Sequence, residues 1–170
     1  MRTIILVVSL MSLVSATGFA KGKEVTVNLK GTKGEDMGKV IIKSASAGVV
    51  LKLDLHGLAP GKHAIHFHQV AKCEGPDFKS AGGHFNPDGK EHGLENPKGH
   101  HAGDMLNFTA DAKGRARATI ANRSVDLGND SHSLFSNGGT ALVVHGKADD
   151  MKSDPAGNAG PRVACGVIKK

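Results

Sequence analysis

The sequence predicts an all-β domain, a sandwich or barrel of about eight antiparallel strands. Three observations favour this class. Apolar residues recur at every second position in several short segments, glycine-containing turns separate these segments, and no stretch has the period of a persuasive amphipathic helix. A chain of 170 residues is short enough that one domain with one core is the expected organisation.

The predicted strands follow one another from the amino-terminal side. In 24–30, Val25, Val27 and Leu29 alternate with polar residues, and a similar alternation runs through 49–58. This period is typical of antiparallel strands with one buried face. Turns such as LAPGK and DAKGR supply the reversals between strands. The remaining candidates are 38–44, 63–69, 104–110, 115–121, 141–147 and 162–168.

Residues 1–20 have the organisation of a secretory signal peptide. Arg2 precedes an apolar run from Ile4 to about Val14, and small residues lead to a cleavage site after Ala20. The apolar run is shorter than a normal membrane span, so a retained membrane anchor is the weaker alternative. We therefore expect export, with no membrane attachment once the segment is removed.

The mature domain is then predicted to comprise residues 21–170, although cleavage after Ala16 remains open. Export places Cys73 and Cys165 in an oxidising compartment, where a single disulfide between them is the simplest prediction. Two unpaired thiols are the alternative. The bacterial periplasm is the expected location, with secretion to the exterior as the second possibility.

The charge balance argues against nucleic acid as a partner. The net charge is +6, but the chain has no Trp and no Tyr, and no run of Lys and Arg exceeds two residues. A surface that tracks a nucleic-acid backbone or stacks on bases is therefore not expected. The positive charge is more consistent with attraction of a small anion, or with no binding role at all.

Three histidines in the segment HAIHFH point in two directions. Side chains alternate along a strand, so His66 and His68 share one face, while His63 lies on the other with Ile65 and Phe67. His63 is therefore predicted to be a buried structural residue. His66 and His68 are close enough along the strand to bind one metal ion, although a His-x-His pair alone is weak support.

Two connections are too long to be tight turns, 70–103 and 147–161. A loop of this length in a compact domain needs something other than a core to hold it. The first loop contains Cys73 and four histidines, and an aspartate follows it closely, so a disulfide and a metal ion can hold it. The predicted ligands are three imidazoles and one carboxylate, a closed set that suits structural zinc: His84, His92, His101 and Asp104.

His100 stands next to His101 and is interpreted as a surface residue. His145 lies in a predicted strand, 141–147, and can complete a second site with His66 and His68. A set of imidazoles without cysteine or methionine suits either a redox-cycling copper or zinc, and spacing alone does not choose between them.

The order of these motifs resembles the copper/zinc superoxide dismutase family over nearly the whole mature chain. The motifs are HAIHFH, GGHFNPDGKEHG, HHAGDM, LVVHGKADD and GNAGPRVACGVI. The resemblance implies an eight-stranded antiparallel Greek-key barrel or sandwich of immunoglobulin-like form, with two long functional loops. It further implies that this domain dismutates superoxide to dioxygen and hydrogen peroxide.

The resemblance also implies one copper and one zinc per subunit. The copper ligands would be His66, His68, His84 and His145, and the zinc ligands His84, His92, His101 and Asp104. His84 would belong to both sets as a bridging imidazolate that accepts and returns a proton during turnover.

Two further residues gain roles from the resemblance. Asp149 matches a carboxylate that links a copper histidine to a zinc histidine, here expected to be His66 and His92. Arg162 matches an arginine that attracts superoxide and holds it beside copper. Lys147 and Lys152 are weak candidates for additional steering charges, and the alternative is that both are ordinary surface lysines.

A non-catalytic copper or zinc carrier with the same fold is the rival function. Arg162 separates the two, because a carrier has no need of an anion guide. The family contains both monomers and dimers, so a homodimer is possible for this chain.

Overall fold

The computed structural model describes residues 22–170, and the predicted signal peptide lies outside these residues. The described part of the chain forms nine β-strands and two single turns of 3₁₀ helix. The strands are β1 (Glu24–Gly31), β2 (Asp36–Ser44), β3 (Val49–Leu55), β4 (Gly61–His63), β5 (Ile65–His68), β6 (Phe108–Ala110), β7 (Ala116–Asn122), β8 (Thr140–His145) and β9 (Arg162–Ile168).

Seven strands form one antiparallel sheet in the order β5-β8-β9-β1-β2-β3-β7, and β4 pairs with β6 in a second, two-stranded sheet. The two-stranded sheet lies between the edges of the larger one, because β6 contacts β7 and only Ala64 separates β4 from β5. The result is a curled antiparallel barrel. The sequential neighbours β3 and β4 are not paired, and β9 returns to pair with β1, which are Greek-key connections.

The predicted all-β barrel is confirmed, and the strand count differs at one place. The predicted strand 63–69 is divided at Ala64, where the chain changes partner from β6 to β8. The backbone N–H of Ala64 leaves the ladder and donates to the carbonyl of Lys147, 2.8 Å away. One predicted strand thus becomes two short ones, with His63 on β4 and the other two histidines on β5.

The barrel interior is the main core, and it is filled by alternate residues of the strands. Val27, Val40 and Leu51 are fully or almost fully buried, as the period-two pattern predicts. Leu142 and Val144 of β8 point into this core. The intervening β8 residues, Ala141 and Val143, face a second, smaller cluster on the outside of the barrel with Phe78, Ala81 and Cys165.

The predicted disulfide is confirmed: Cys73 and Cys165 are bonded. It joins the start of the first long loop to the middle of β9 and packs against the smaller cluster. Closing a loop of this length stabilises a fold by about 4 to 5 kcal/mol on the chain-entropy estimate. The start of the first long loop is therefore covalently attached to the sheet.

Within residues 22–170, no helix is long and apolar enough to cross a membrane.

Candidate metal centre

Three of the histidines are carried by paired strands. His66 and His68 lie on β5 opposite Val143 and Ala141 of β8, and His145 is the last residue of β8. His145 lies on the same face of β8 as Ala141 and Val143, and the register with β9 shifts beside it, where Val163 of β9 is the extra residue of a bulge. All three side chains are buried on the same side of the sheet, so the strands themselves bring them together.

His84 joins this group from the first long loop. It forms an isolated antiparallel bridge with His68, and the N–H of Phe85 donates to the carbonyl of Phe67, 2.8 Å away. Gly103 closes the arrangement, because a Cβ at this position would collide with the Phe67 carbonyl. The ring of His84 lies 4.1 Å from that of His66 and 4.9 Å from that of His68, centroid to centroid.

One ring nitrogen of each histidine in this group is buried without a hydrogen-bond partner among the described residues. These atoms are His66 Nδ1, His68 Nε2, His84 Nε2 and His145 Nε2. The four residues offer ligand atoms that all lie within 4.8 Å of one another. A buried polar atom without a partner is costly, so four that converge indicate a group that the fold is built to hold. Imidazole nitrogens fit copper and zinc.

The opposite ring nitrogens are held in place. His66 Nε2 donates to Asp149 Oδ2 at 2.8 Å, and His68 Nδ1 donates to the Gly82 carbonyl at 2.9 Å. His145 Nδ1 is 3.4 Å from the Gly160 carbonyl. These contacts fix the tautomer and orientation of each ring, so the free nitrogens are aimed at the common centre.

The second group lies in the loop, around the carboxylate of Asp104. Asp104 Oδ1 is 2.8 Å from His84 Nδ1, 3.0 Å from His92 Nδ1 and 3.5 Å from His101 Nδ1. The N–H groups of Gly93 and His101 donate to the other oxygen, Oδ2. All four residues are buried and their ligand atoms lie within 4.8 Å of one another. Three imidazoles and a carboxylate suit tetrahedral zinc.

The structure therefore brings together every metal ligand predicted from the sequence. His84 belongs to both groups, with Nε2 facing the strand histidines and Nδ1 facing Asp104. His100 is in neither group: its Nδ1 bonds the carbonyl of His101, 2.7 Å away.

Asp149 joins the two groups from outside. Its Oδ2 accepts from His66 Nε2 at 2.8 Å, and its Oδ1 accepts from His92 Nε2 at 3.0 Å. Asn107 holds this residue, since its side-chain oxygen accepts the backbone N–H of Asp149 at 2.8 Å. Gly157 covers the contact, and a Cβ there would collide with Asp149 and His92.

The protonation of the rings follows from burial and charge. Burial lowers the pKa of His84 to about 4 and that of His145 to about 3, and the pKa of His68 also falls well below its usual value. These rings are neutral at neutral pH, as metal ligands must be. Burial opposes the charge on His92 as well, but hydrogen bonds to Asp104 and Asp149 outweigh it and raise the pKa of His92 to about 9 without metal. A metal bound at His92 Nδ1 would have to displace that proton.

The carboxylates are ionised. Burial disfavours their charge, but hydrogen bonds from His101, His84 and His92 hold the pKa of Asp104 far below its usual range. Hydrogen bonds from His66 and His92 lower the pKa of Asp149 in the same way. Both carboxylates are therefore anionic at neutral pH and could balance the charge of cations held by the histidines.

Arg162 is fixed next to the strand histidines. Its guanidinium donates to the carbonyls of Phe78 and Gly82, each at 2.6 Å. The Gly82 carbonyl is also the partner of His68 Nδ1, so one oxygen joins the arginine to a histidine of the first group. Burial lowers the pKa of Arg162, but the group remains a cation at neutral pH.

His63 has the structural role predicted from strand alternation. Its ring nitrogens lie 2.8 Å from the carbonyl of His145 and 2.7 Å from that of Ala59, and the ring stacks on Phe108. It braces the end of β8 where His145 is carried. Both candidate steering lysines, Lys147 and Lys152, are exposed, and Lys152 is paired with Glu95 at 3.2 Å.

The sequence gives no indication of the backbone groups that orient the centre. The carbonyls of Phe78, Gly82 and Gly160 are such groups, and a carbonyl has no signature in a sequence because every residue carries one. Asp154 was also missed: it accepts the backbone N–H of His92 at 2.7 Å. Three acidic residues stand in this loop, and spacing alone does not indicate which of them reach inward.

The fold and the site define a class, an antiparallel β-barrel whose buried histidines offer two adjoining groups of metal ligands that share one imidazole. The family described as copper/zinc superoxide dismutase (SODC) matches residues 36–168. The chain belongs to this family.

Named relatives agree with this assignment. Superoxide dismutase [Cu-Zn] 1 of Aquifex aeolicus is 47% identical over 163 residues, which cover 95% of this chain and 96% of that protein. Superoxide dismutase [Cu-Zn] of Caulobacter vibrioides is 46% identical over 147 residues, 85% of this chain and 84% of that protein. The solved structure of Cu/Zn superoxide dismutase from Brucella abortus, 28% identical, covers 86% of this chain and 100% of its own with a TM-score of 0.72.

Proposed function

We propose that this chain is a copper/zinc superoxide dismutase in which the strand-borne histidines hold copper and the loop-borne group holds zinc. Two superoxide anions and two protons give one dioxygen and one hydrogen peroxide. The observation that carries the assignment of the copper ligands is the convergence of four buried ring nitrogens without partners, on His66, His68, His84 and His145. Copper, when bound there, supplies the one-electron oxidation and reduction that the reaction needs.

His84 moves the proton. Its Nδ1 faces Asp104 and the proposed zinc ligands, and its Nε2 faces the copper ligands. With cations held by both groups, this ring would lose its second proton readily. Nε2 is then the atom that would take up one proton in the first half of the cycle and return it in the second, and water would supply the second proton of hydrogen peroxide.

Arg162 binds the substrate anion. Two carbonyls fix the guanidinium, and one of them also accepts a hydrogen bond from His68. The cation therefore keeps a fixed position relative to the proposed copper ligands. A fixed cation in a partly buried position attracts a small anion and raises its association rate. Screening by salt should therefore slow the reaction.

The loop-borne residues keep His84 in place. With His84, the residues His92, His101 and Asp104 would hold zinc as a closed set of four ligands with no position for substrate, which suits a structural ion. Asp149 then couples the two halves, since the same carboxylate orients one histidine of each group.

The carrier alternative is not favoured. Membership of the dismutase family and the fixed position of Arg162 both support catalysis, because storage of a metal needs no anion-binding arginine beside it.

The test is superoxide dismutation by the mature protein, with its disulfide intact and with copper and zinc loaded, beside a His68→Ala variant. We expect rapid dismutation by the wild type and none above background in the variant. A wild-type protein that binds one copper and one zinc yet is inactive would establish the carrier function instead.

We also propose that the protein acts in the bacterial periplasm after removal of residues 1–20. The basic start, the apolar run and the small residues of this segment support export. The disulfide supports an oxidising compartment. Amino-terminal sequencing of protein from a periplasmic extract should begin at Lys21; an uncleaved amino terminus in the membrane fraction would contradict export with cleavage.

A further inference from the structure

We propose that Asp154 is a positioning residue of the zinc site, a second carboxylate that orients its histidines from the outside. The inference rests on the proposed zinc set and adds to it a residue from the other long loop. One oxygen of Asp154 lies next to two of the three histidines in the set.

The two contacts differ in kind. Asp154 Oδ1 accepts the backbone N–H of His92 at 2.7 Å. The same oxygen is 4.0 Å from Nε2 of His101, the ring nitrogen that faces away from Asp104. Asp154 therefore fixes the backbone of one zinc histidine and presents a negative charge to the outer edge of another.

This contact completes a pattern among the zinc histidines. The outer nitrogen of His92 is bound by Asp149, and that of His101 faces Asp154. A ligand histidine whose outer N–H meets a carboxylate is held in one orientation and binds its metal more strongly. Asp149 thus hydrogen-bonds the outer nitrogen of His92, and Asp154 presents its charge to the outer nitrogen of His101 at a distance beyond a hydrogen bond.

The position of Asp154 is set by contacts between the two long loops. The N–H of Glu95 donates to the carbonyl of Met151 at 3.0 Å, and the side-chain amide of Asn96 donates to the carbonyl of Lys152 at 3.4 Å. These bonds attach residues 151–152 to the segment that follows His92. These bonds therefore hold the loop that carries Asp154 next to His92, and they place its carboxylate beside the proposed zinc histidines.

The expected effect is at the lower end of what such residues contribute. Removing an outer partner typically weakens metal binding by about 10-fold to 100-fold. The Asp154 side chain is half exposed and its contact with His101 is long, so water screens part of the interaction. We therefore expect about a 10-fold change in zinc retention.

The experiment is a timed EDTA challenge of the copper- and zinc-loaded protein, with both metals remaining on the protein measured by mass spectrometry. The variants are Asp154→Ala and Asp154→Asn. Asp36→Ala is the matched control, because Asp36 is an exposed acid on β2 with only long contacts to Lys30 and His56. His101→Ala tests the zinc set itself.

We expect Asp154→Ala to release zinc about 10-fold faster than Asp36→Ala, with copper release unchanged. Asp154→Asn should lie between them, since the amide oxygen still accepts the His92 N–H but carries no charge toward His101. Zinc release from Asp154→Ala at the control rate, or equal acceleration for both metals, would overturn the positioning role. Zinc release from His101→Ala at the wild-type rate would instead overturn the proposed zinc set.

Discussion

The two groups of ligands that meet at His84 are built in different ways. The residues of the proposed copper group, His66, His68 and His145, lie on paired strands of the barrel. The zinc-side residues lie in a segment without regular strands, and their ligand atoms gather around the carboxylate of Asp104. On one side the sheet determines the geometry, and on the other side a buried charge and its hydrogen bonds do.

The difference in construction fits the different roles proposed for the two metal ions. A redox site must keep its ligands in nearly the same positions in both oxidation states, and hydrogen-bonded strands supply that rigidity without help from the metal. A structural ion can organise a loop that has little apolar surface of its own, because the free energy of metal binding contributes to folding. His84 lies at the boundary and is held by both.

The largest expected effect separates the two groups by activity. His145→Ala removes a proposed copper ligand that the sheet holds, so dismutation should fall to background while zinc is retained. His101→Ala should lose zinc and keep copper, with part of the activity remaining. Metal analysis and dismutation rates of the two variants check this; loss of both metals from both variants would mean that the groups are not separable.

Metal removal should loosen one region and leave the other ordered. Without metals, backbone amides of 91–104 and 149–157 should exchange with deuterium much faster, since few apolar contacts hold these loops. Amides of β8 should keep their protection because β5 and β9 pair with this strand on its two sides. Hydrogen exchange followed by mass spectrometry measures both, and equal deprotection of strands and loops would contradict the comparison.

The disulfide should stabilise the segment after Cys73, which supplies the carbonyls that hold Arg162. Replacing Cys73 and Cys165 together by serine should lower the free energy of unfolding by about 2 to 5 kcal/mol, measured by denaturant titration of the metal-free protein. The loop from Cys73 to Gly82 supplies both carbonyls that hold Arg162, so substrate turnover should also become less efficient. A change under 1 kcal/mol would show that the loop is held by packing alone.

Arg162→Ala should reduce kcat/KM by about 10-fold at low ionic strength, because steering by a fixed cation accelerates association by such factors. Copper and zinc contents should stay at wild-type levels. The dependence of the rate on salt should become shallower than in the wild type. Unchanged kcat/KM with normal metal content would remove Arg162 from the mechanism.

The smallest effect is expected at Lys152, on the zinc side. Its ammonium is paired with Glu95 on the surface, and an exposed pair contributes little to an external field. Lys152→Ala should therefore leave kcat/KM within about twofold of wild type across ionic strengths. A decrease comparable to that of Arg162→Ala would make the zinc-side loop a part of the steering surface.

Much of the barrel could be predicted from the sequence because alternation reports which face of a strand is buried. Val27, Val40 and Leu51 lie in the core as their pattern indicates. The break at Ala64 could not be predicted in the same way, since it depends on β6 and β8, which are distant along the chain. Local periodicity contains no information about which strand supplies the partner.

The candidate site shows the same contrast between residues that a local sequence pattern indicates and residues that only tertiary contacts select. Histidine is rare enough that clusters such as His66 and His68 are visible in a sequence, and so is an aspartate three residues after His101. The acids Asp149, Asp150 and Asp154 look alike in sequence, yet Asp149 reaches two ligand rings while Asp150 bonds only its own loop. Tertiary packing decides which acid turns inward.

The most direct test of the two-group account is anomalous diffraction from crystals of the loaded mature protein, collected at the copper and zinc absorption edges. We predict one copper peak among the ring nitrogens of His66, His68, His84 and His145, and one zinc peak among His84, His92, His101 and Asp104. Both metals should contact the same imidazole, that of His84. A single peak, or two peaks that do not share His84, would contradict the account.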